Sequence, residues 1–107
     1  MYSRIVFFLF VVIVSLAKVQ AQTPKAFEQA ADKALLSNDY YAGMKYLDKV
    51  LEMEPERTDI LFKHAEAARM FQAYTIAEQS YQKVLTNNTN GSFNAAIYGL
   101  GVTKQSL

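Results

Sequence analysis

From Pro24 onward, apolar side chains return every three or four residues, and no stretch alternates with period two long enough to make a strand. The pattern predicts five helices, at about Pro24–Ser37, Tyr40–Met53, Thr58–Phe71, Ala73–Leu85 and Phe93–Ser106. The first turns Phe27, Ala30, Ala31, Ala34 and Leu35 to one side. The second does the same with Tyr40, Gly43, Met44, Leu47, Val50 and Leu51. The third and fourth offer Leu61, Ala65, Ala68 and Phe71, then Tyr74, Ala77, Tyr81 and Val84. Asp39 is a strong N-cap for the second helix, and Thr58 or a near neighbour is expected to cap the third. Asn38 suits the left-handed conformation that the first turn requires.

The pattern repeats. Shifted by 34 residues, Ala31 falls on Ala65, Ala34 on Ala68, Tyr40 on Tyr74, and Lys49-Val50-Leu51 on Lys83-Val84-Leu85. A fixed period of about 20–50 residues signals stacked supersecondary units. A third, partial copy begins near Ala95 after a two-residue insertion in the loop 87–91. Small residues (Ala31, Gly43, Ala65, Ala77) recur where helices must approach closely.

These segments resemble tetratricopeptide (TPR) repeats. Asn38-Asp39-Tyr40 is similar to that family's turn between helices, Gly43, Leu47 and Val50 to its second-helix positions, Pro55 to its closing proline, and Leu100-Gly101 to its Leu-Gly pair. The resemblance implies an all-α, antiparallel helix–turn–helix, right-handed solenoid of about two and a half repeats, at 24–57, 58–91 and 95–107. The chain departs from the family pattern at Ala30, Ala34 and Ala68, at Gln72 in place of the turn glycine, and at Thr89 in place of the second proline. The third copy reaches Leu107 one residue before its turn, so a partner helix and a longer protein are expected beyond it. Ile97, Leu100 and Leu107 would then lack a covering face.

Residues 1–21 differ in kind. Arg4 precedes about 13 mainly apolar residues, Ile5 to Ala17, too few to span a bilayer, and Val19-Gln20-Ala21 has small residues where signal peptidase cuts. A signal peptide at 1–21 and a TPR-like domain at 22–107 are expected. Contact with the membrane is then through targeting alone, and the product is exported, periplasmic or outer-membrane-associated. There is no cysteine, which argues against a disulfide-stapled secreted domain. The two glycosylation triplets, at Asn87 and Asn90, lie in an Asn-rich turn and need no glycan to explain them.

Charge narrows the function. The whole chain carries +1; loss of Arg4 and Lys18 with the leader leaves nine basic against ten acidic residues, or −1. That is not the basic stripe nucleic acid requires. His64 is the only histidine, so no metal set can form around it, and a packed, hydrogen-bonded role is expected. Asp48, Glu52, Glu54 and Glu56 lack the spacing of a calcium loop. The sequence assembles no Ser/His/Asp set and no phosphate loop, so neither enzyme chemistry nor a cofactor is expected. Tyr40, Tyr46, Tyr74 and Tyr81 are expected to fill the core, with Tyr41 and Tyr98 less committed.

The resemblance places a protein- or peptide-binding groove on the first helix of each repeat. Its positions are Glu28, Asp32 and Leu35, then Asp59, Phe62, Glu66 and Arg69, then Tyr98 and Val102. Glu28, Asp32 and Glu66 stand where carboxylate-gripping TPR domains carry cations, so that clamp is absent from the expectation. The runs Asp39-Tyr40-Tyr41-Ala42 and Lys63 to Arg69 resemble the N-terminal TPR segment of OmpA-family and type IX secretion-associated envelope proteins of Bacteroidota. The expected role is a non-catalytic scaffold for another envelope protein. A spacer to downstream domains and an accessory segment of a larger enzyme are the alternatives.

Overall fold

The computed structural model describes residues 23–87 and 94–107, and among these there are five helices and no strand. They are α1 (Pro24–Leu36), α2 (Tyr40–Met53), α3 (Thr58–Met70), α4 (Tyr74–Asn87) and α5 (Asn94–Ser106). Each packs on the next in chain order, and α3 also touches α5. The expected leader, the second glycosylation triplet and most of the Asn-rich loop lie outside the described residues. No helix among the described residues is long and apolar enough to cross a membrane.

The repeat is visible in the backbone. α1 and α3 begin 34 residues apart, as do α2 and α4, while α5 follows α3 by 36, as a two-residue insertion requires. Both tight turns use one device. Asn38 (φ 59°) and Gln72 (φ 67°), also 34 apart, take the left-handed conformation. At each turn the next amide reaches back five residues, Asp39 to the Ala34 carbonyl at 2.9 Å and Ala73 to Ala68 at 2.8 Å. This is a Schellman closure, which satisfies the last carbonyls of the helix while reversing the chain. Asp39 then caps α2 through the Ala42 amide at 3.1 Å. Thr23 caps α1 in the same way through Ala26.

The cap of α3 is the residue next to Thr58 and supplies no side-chain acceptor. Thr58 is already inside the helix, Arg57 occupies the N-cap, and no side chain accepts from the first turn. Asp59 in that turn still complements the helix dipole.

The core runs along the stack. Ala31, Met44, Leu47, Val50, Ile60, Leu61, Ala65, Ala67, Ala68, Ala77, Tyr81, Val84 and Ala96 are all buried. Each large member contributes roughly 1.5–3 kcal/mol of transfer free energy. Gly43 is at a close crossing: a Cβ there would lie 2.6 Å from Leu35 Cδ2.

Two aromatic assignments are corrected. Tyr46 is 40% exposed, because its ring lies beside the small Ala30 and Ala34 rather than between helices. Phe71 is 47% exposed, since it caps α3 and meets the Tyr41 ring at 5.3 Å instead of facing α4. Tyr40 and Tyr74 are half-buried. On α5 the buried face is Ala96, Gly99 and Thr103, with Leu100 half-buried; Ile97 and Leu107 are exposed.

Candidate protein-binding groove

The charged positions of α1 and α3 find each other. Arg57 Nη1 donates to Glu28 Oε2 at 3.1 Å, and Lys63 Nζ donates to Asp32 Oδ1 at 3.0 Å. Arg57 also grips Asp59 bidentately, at 2.6 and 3.2 Å. Its guanidinium holds the Asp59 carboxyl below the usual carboxylate range, and the bond to Asp59, with help from Glu28, keeps Arg57 firmly protonated. These pairs lace α1 to the start and middle of α3.

A second polar knot joins α3 to α4. Tyr81 is fully buried, and its hydroxyl donates to Glu66 Oε1 and accepts from Arg69 Nε at 3.1 Å. Arg69 Nη2 closes the triangle on Glu66 Oε2 at 2.8 Å. Burial first, then the bond to Glu66, pushes the Tyr81 phenol up to about 12. Phe62 packs edge-on against the Tyr81 ring, with centroids 6.3 Å apart.

Between these two sets of polar contacts lies an apolar cleft of about 160 Å³. It is lined by the apolar Leu35, Tyr40, Phe62, Ala67 and Met70 together with Lys63 and Glu66. Of the expected groove residues, Leu35, Phe62 and Glu66 meet in this cleft. Glu28, Asp32 and Asp59 sit beside it in ion pairs, and Arg69 is turned to Tyr81. Tyr98 is 74% exposed on α5 and Val102 half-buried there, and neither lines the cleft. Lys63, Ala67 and Met70 are lining residues that helical periodicity did not single out, and Tyr40 was expected in the core instead. They come from the ends and flanks of helices, where membership of a cleft depends on how two helices cross.

A different face of α3 corrects another expectation. A Ser/His/Asp set does come together: Ser80 Oγ lies 2.7 Å from His64 Nδ1, and Asp48 Oδ1 lies 2.6 Å from His64 Nε2. The approach of Asp48 is close but oblique, so charge proximity rather than an in-line hydrogen bond joins it to Nε2. His64 is 5% exposed, as a packed histidine should be, and burial pulls its pKa below the ordinary value while Asp48 opposes the shift. Glu52 and Glu54 pair with Lys49 and Arg57. Among the described residues no three His, Cys, Asp or Glu side chains form a metal cluster.

No protein-family model and no curated protein matches this chain.

Proposed function

We propose that this chain is an exported scaffold of the TPR type, a right-handed stack of helix pairs that holds another envelope protein in the cleft between α1 and α3. The single observation that carries this reading is the cleft itself, an apolar slot set into a wall of ion pairs that are already satisfied within the chain. Around it, Glu28, Asp32, Asp59 and Glu66 outnumber Arg57, Lys63 and Arg69 by one, and each of these cations has a carboxylate partner. A ligand carboxylate would have to displace one of those partners. The fitting ligand is therefore a peptide segment that inserts one uncharged apolar side chain, with its contacts centred on a buried anchor.

Met70 offers the cleanest test, because it lines the cleft yet is 48% exposed. The tagged full chain is used to capture partners from an envelope extract, and the captured proteins are identified by mass spectrometry. Met70→Glu should lose the partner while keeping its helicity, and Lys83→Glu on α4 should retain it. Equal capture by Met70→Glu would assign the repeats to a spacer or to another face. Arg69→Glu is unsuitable for this purpose, since it would strip the buried Tyr81 hydroxyl of a partner.

A further inference from the structure

The Ser80–His64–Asp48 arrangement is used by neither the groove nor the hydrophobic core. It draws one residue from each of α4, α3 and α2. All three line an open cavity of about 550 Å³, walled by Leu51, Leu61 and Ile76 and rimmed by lysines. The proton positions follow from the partners. The Asp48 carboxylate beside Nε2 favours, by its charge rather than by a hydrogen bond, the neutral tautomer that carries its proton on Nε2 and leaves Nδ1 as an acceptor. In that tautomer the Ser80 hydroxyl donates to Nδ1.

Three other hydroxyls on the helical segments behave differently. Thr86, Thr103 and Ser106 each donate to the carbonyl four residues earlier, at 2.8, 2.7 and 3.1 Å. This is the usual use of a hydroxyl inside a helix. Ser80 instead places its hydroxyl oxygen 2.7 Å from the imidazole Nδ1 across the helix interface. A serine hydrogen-bonded to a base that is itself oriented by a third group is the arrangement that activates a nucleophile.

We propose that Ser80 is an acyl-accepting nucleophile, with His64 as its base and Asp48 as the positioning residue, acting on small esters that bear a negative charge. In the forward step Ser80 Oγ bonds to the ester carbonyl carbon and its proton passes to His64 Nδ1. The tetrahedral adduct then expels the alkoxide, which takes that proton and leaves as the alcohol. Water attacks the acyl-serine, gives its proton to Nδ1, and the carboxylic acid is released as Oγ is reprotonated. No electrons are exchanged with any third reagent.

The charged groups around the base are Lys45, Asp48, Lys49 and Glu52 from α2 and Lys83 from α4. Lys45 and Lys83 both act electrostatically on His64. Interior amides of α4 are committed to the helix, so the oxyanion must be met by these ammonium groups. Turnover is accordingly slow, since a lost oxyanion-hole donor costs about 100- to 1,000-fold in other enzymes. The same lysines select an acyl group carrying a carboxylate.

The test uses the full chain, a fluorophosphonate probe and peptide mapping by mass spectrometry, with folding followed by circular dichroism. The expected result is an adduct on Ser80 of the wild-type protein. In Asp48→Asn, which alters a partly exposed side chain and keeps its shape, labelling should fall at least about tenfold. The pH midpoint of labelling should also move down, a change that a merely structural Asp48 would not cause. A 4-nitrophenyl hemisuccinate ester should be hydrolysed faster than 4-nitrophenyl acetate, and Ser80→Ala should abolish both activities above background. A folded wild-type chain that carries no adduct on Ser80 would overturn the proposal, as would equal labelling of Asp48→Asn. Neither outcome bears on the groove, because Met70→Glu leaves this cavity intact.

Discussion

His64 carries a pH dependence that can be read directly. Burial lowers its folded pKa below the ordinary 6.5, so between those two values the unfolded chain binds the extra proton and the folded chain does not. The stability it contributes is complete above about 6.5 and declines as pH falls toward the folded value. Urea denaturation should therefore show a lower midpoint at pH 5.5 than at pH 7. No other histidine exists to share the effect, so it should vanish in His64→Gln. A midpoint that rises on acidification would mean that Asp48, not burial, dominates the site.

Glycines separate two kinds of close contact. A Cβ on Gly99 would lie 2.5 Å from Tyr81 Cζ, against a buried ring pinned by Glu66 and Arg69. At Gly43 the obstacle is the free end of half-buried Leu35, and the equivalent residue one repeat later is already Ala77. Gly99→Ala should cost about 1–3 kcal/mol of overpacking, partly offset by about 1 kcal/mol of helix propensity. Gly43→Ala should be close to neutral. Chemical denaturation of the two variants gives the order, and the reverse order would mean that α5 does not pack on Tyr81 as described.

At the scale of the helices, much was legible in sequence because local rules decide it. The four helices α1 to α4 follow from apolar spacing, and Asn38 and Asp39 announced their turn and cap. Gln72 takes the same left-handed conformation with an ordinary side chain, at a cost of about 1–2 kcal/mol that glycine avoids. Gln72→Gly should consequently raise the denaturation midpoint by an amount worth up to about 1 kcal/mol, after the extra unfolded-state entropy of glycine is subtracted. A lower midpoint would place the Gln72 side chain in a contact that outweighs backbone strain. What sequence could not reveal depends on how helices cross. Asp48, His64 and Ser80 are spaced 16 residues apart, a separation that brings no side chains together within one helix. Phe71 fits the apolar spacing and Tyr46 was expected in the core, yet the neighbouring surfaces leave both half outside.

Across the whole molecule, charge serves cohesion more than recognition. The family resemblance set Glu28, Asp32, Asp59, Glu66 and Arg69 facing a partner; in the fold they lace α1, α3 and α4 together. Long side chains choose their partners across helix gaps, which no one-dimensional pattern specifies. What remains for a ligand on this face is the slot between Leu35, Phe62 and Met70. The most direct measurement is site-specific photo-crosslinking, with a benzophenone side chain at position 70 in one protein and at position 83 in another, each exposed to envelope extract. The account predicts a discrete crosslinked partner from position 70 and none from position 83. A partner captured from position 83 alone would contradict it.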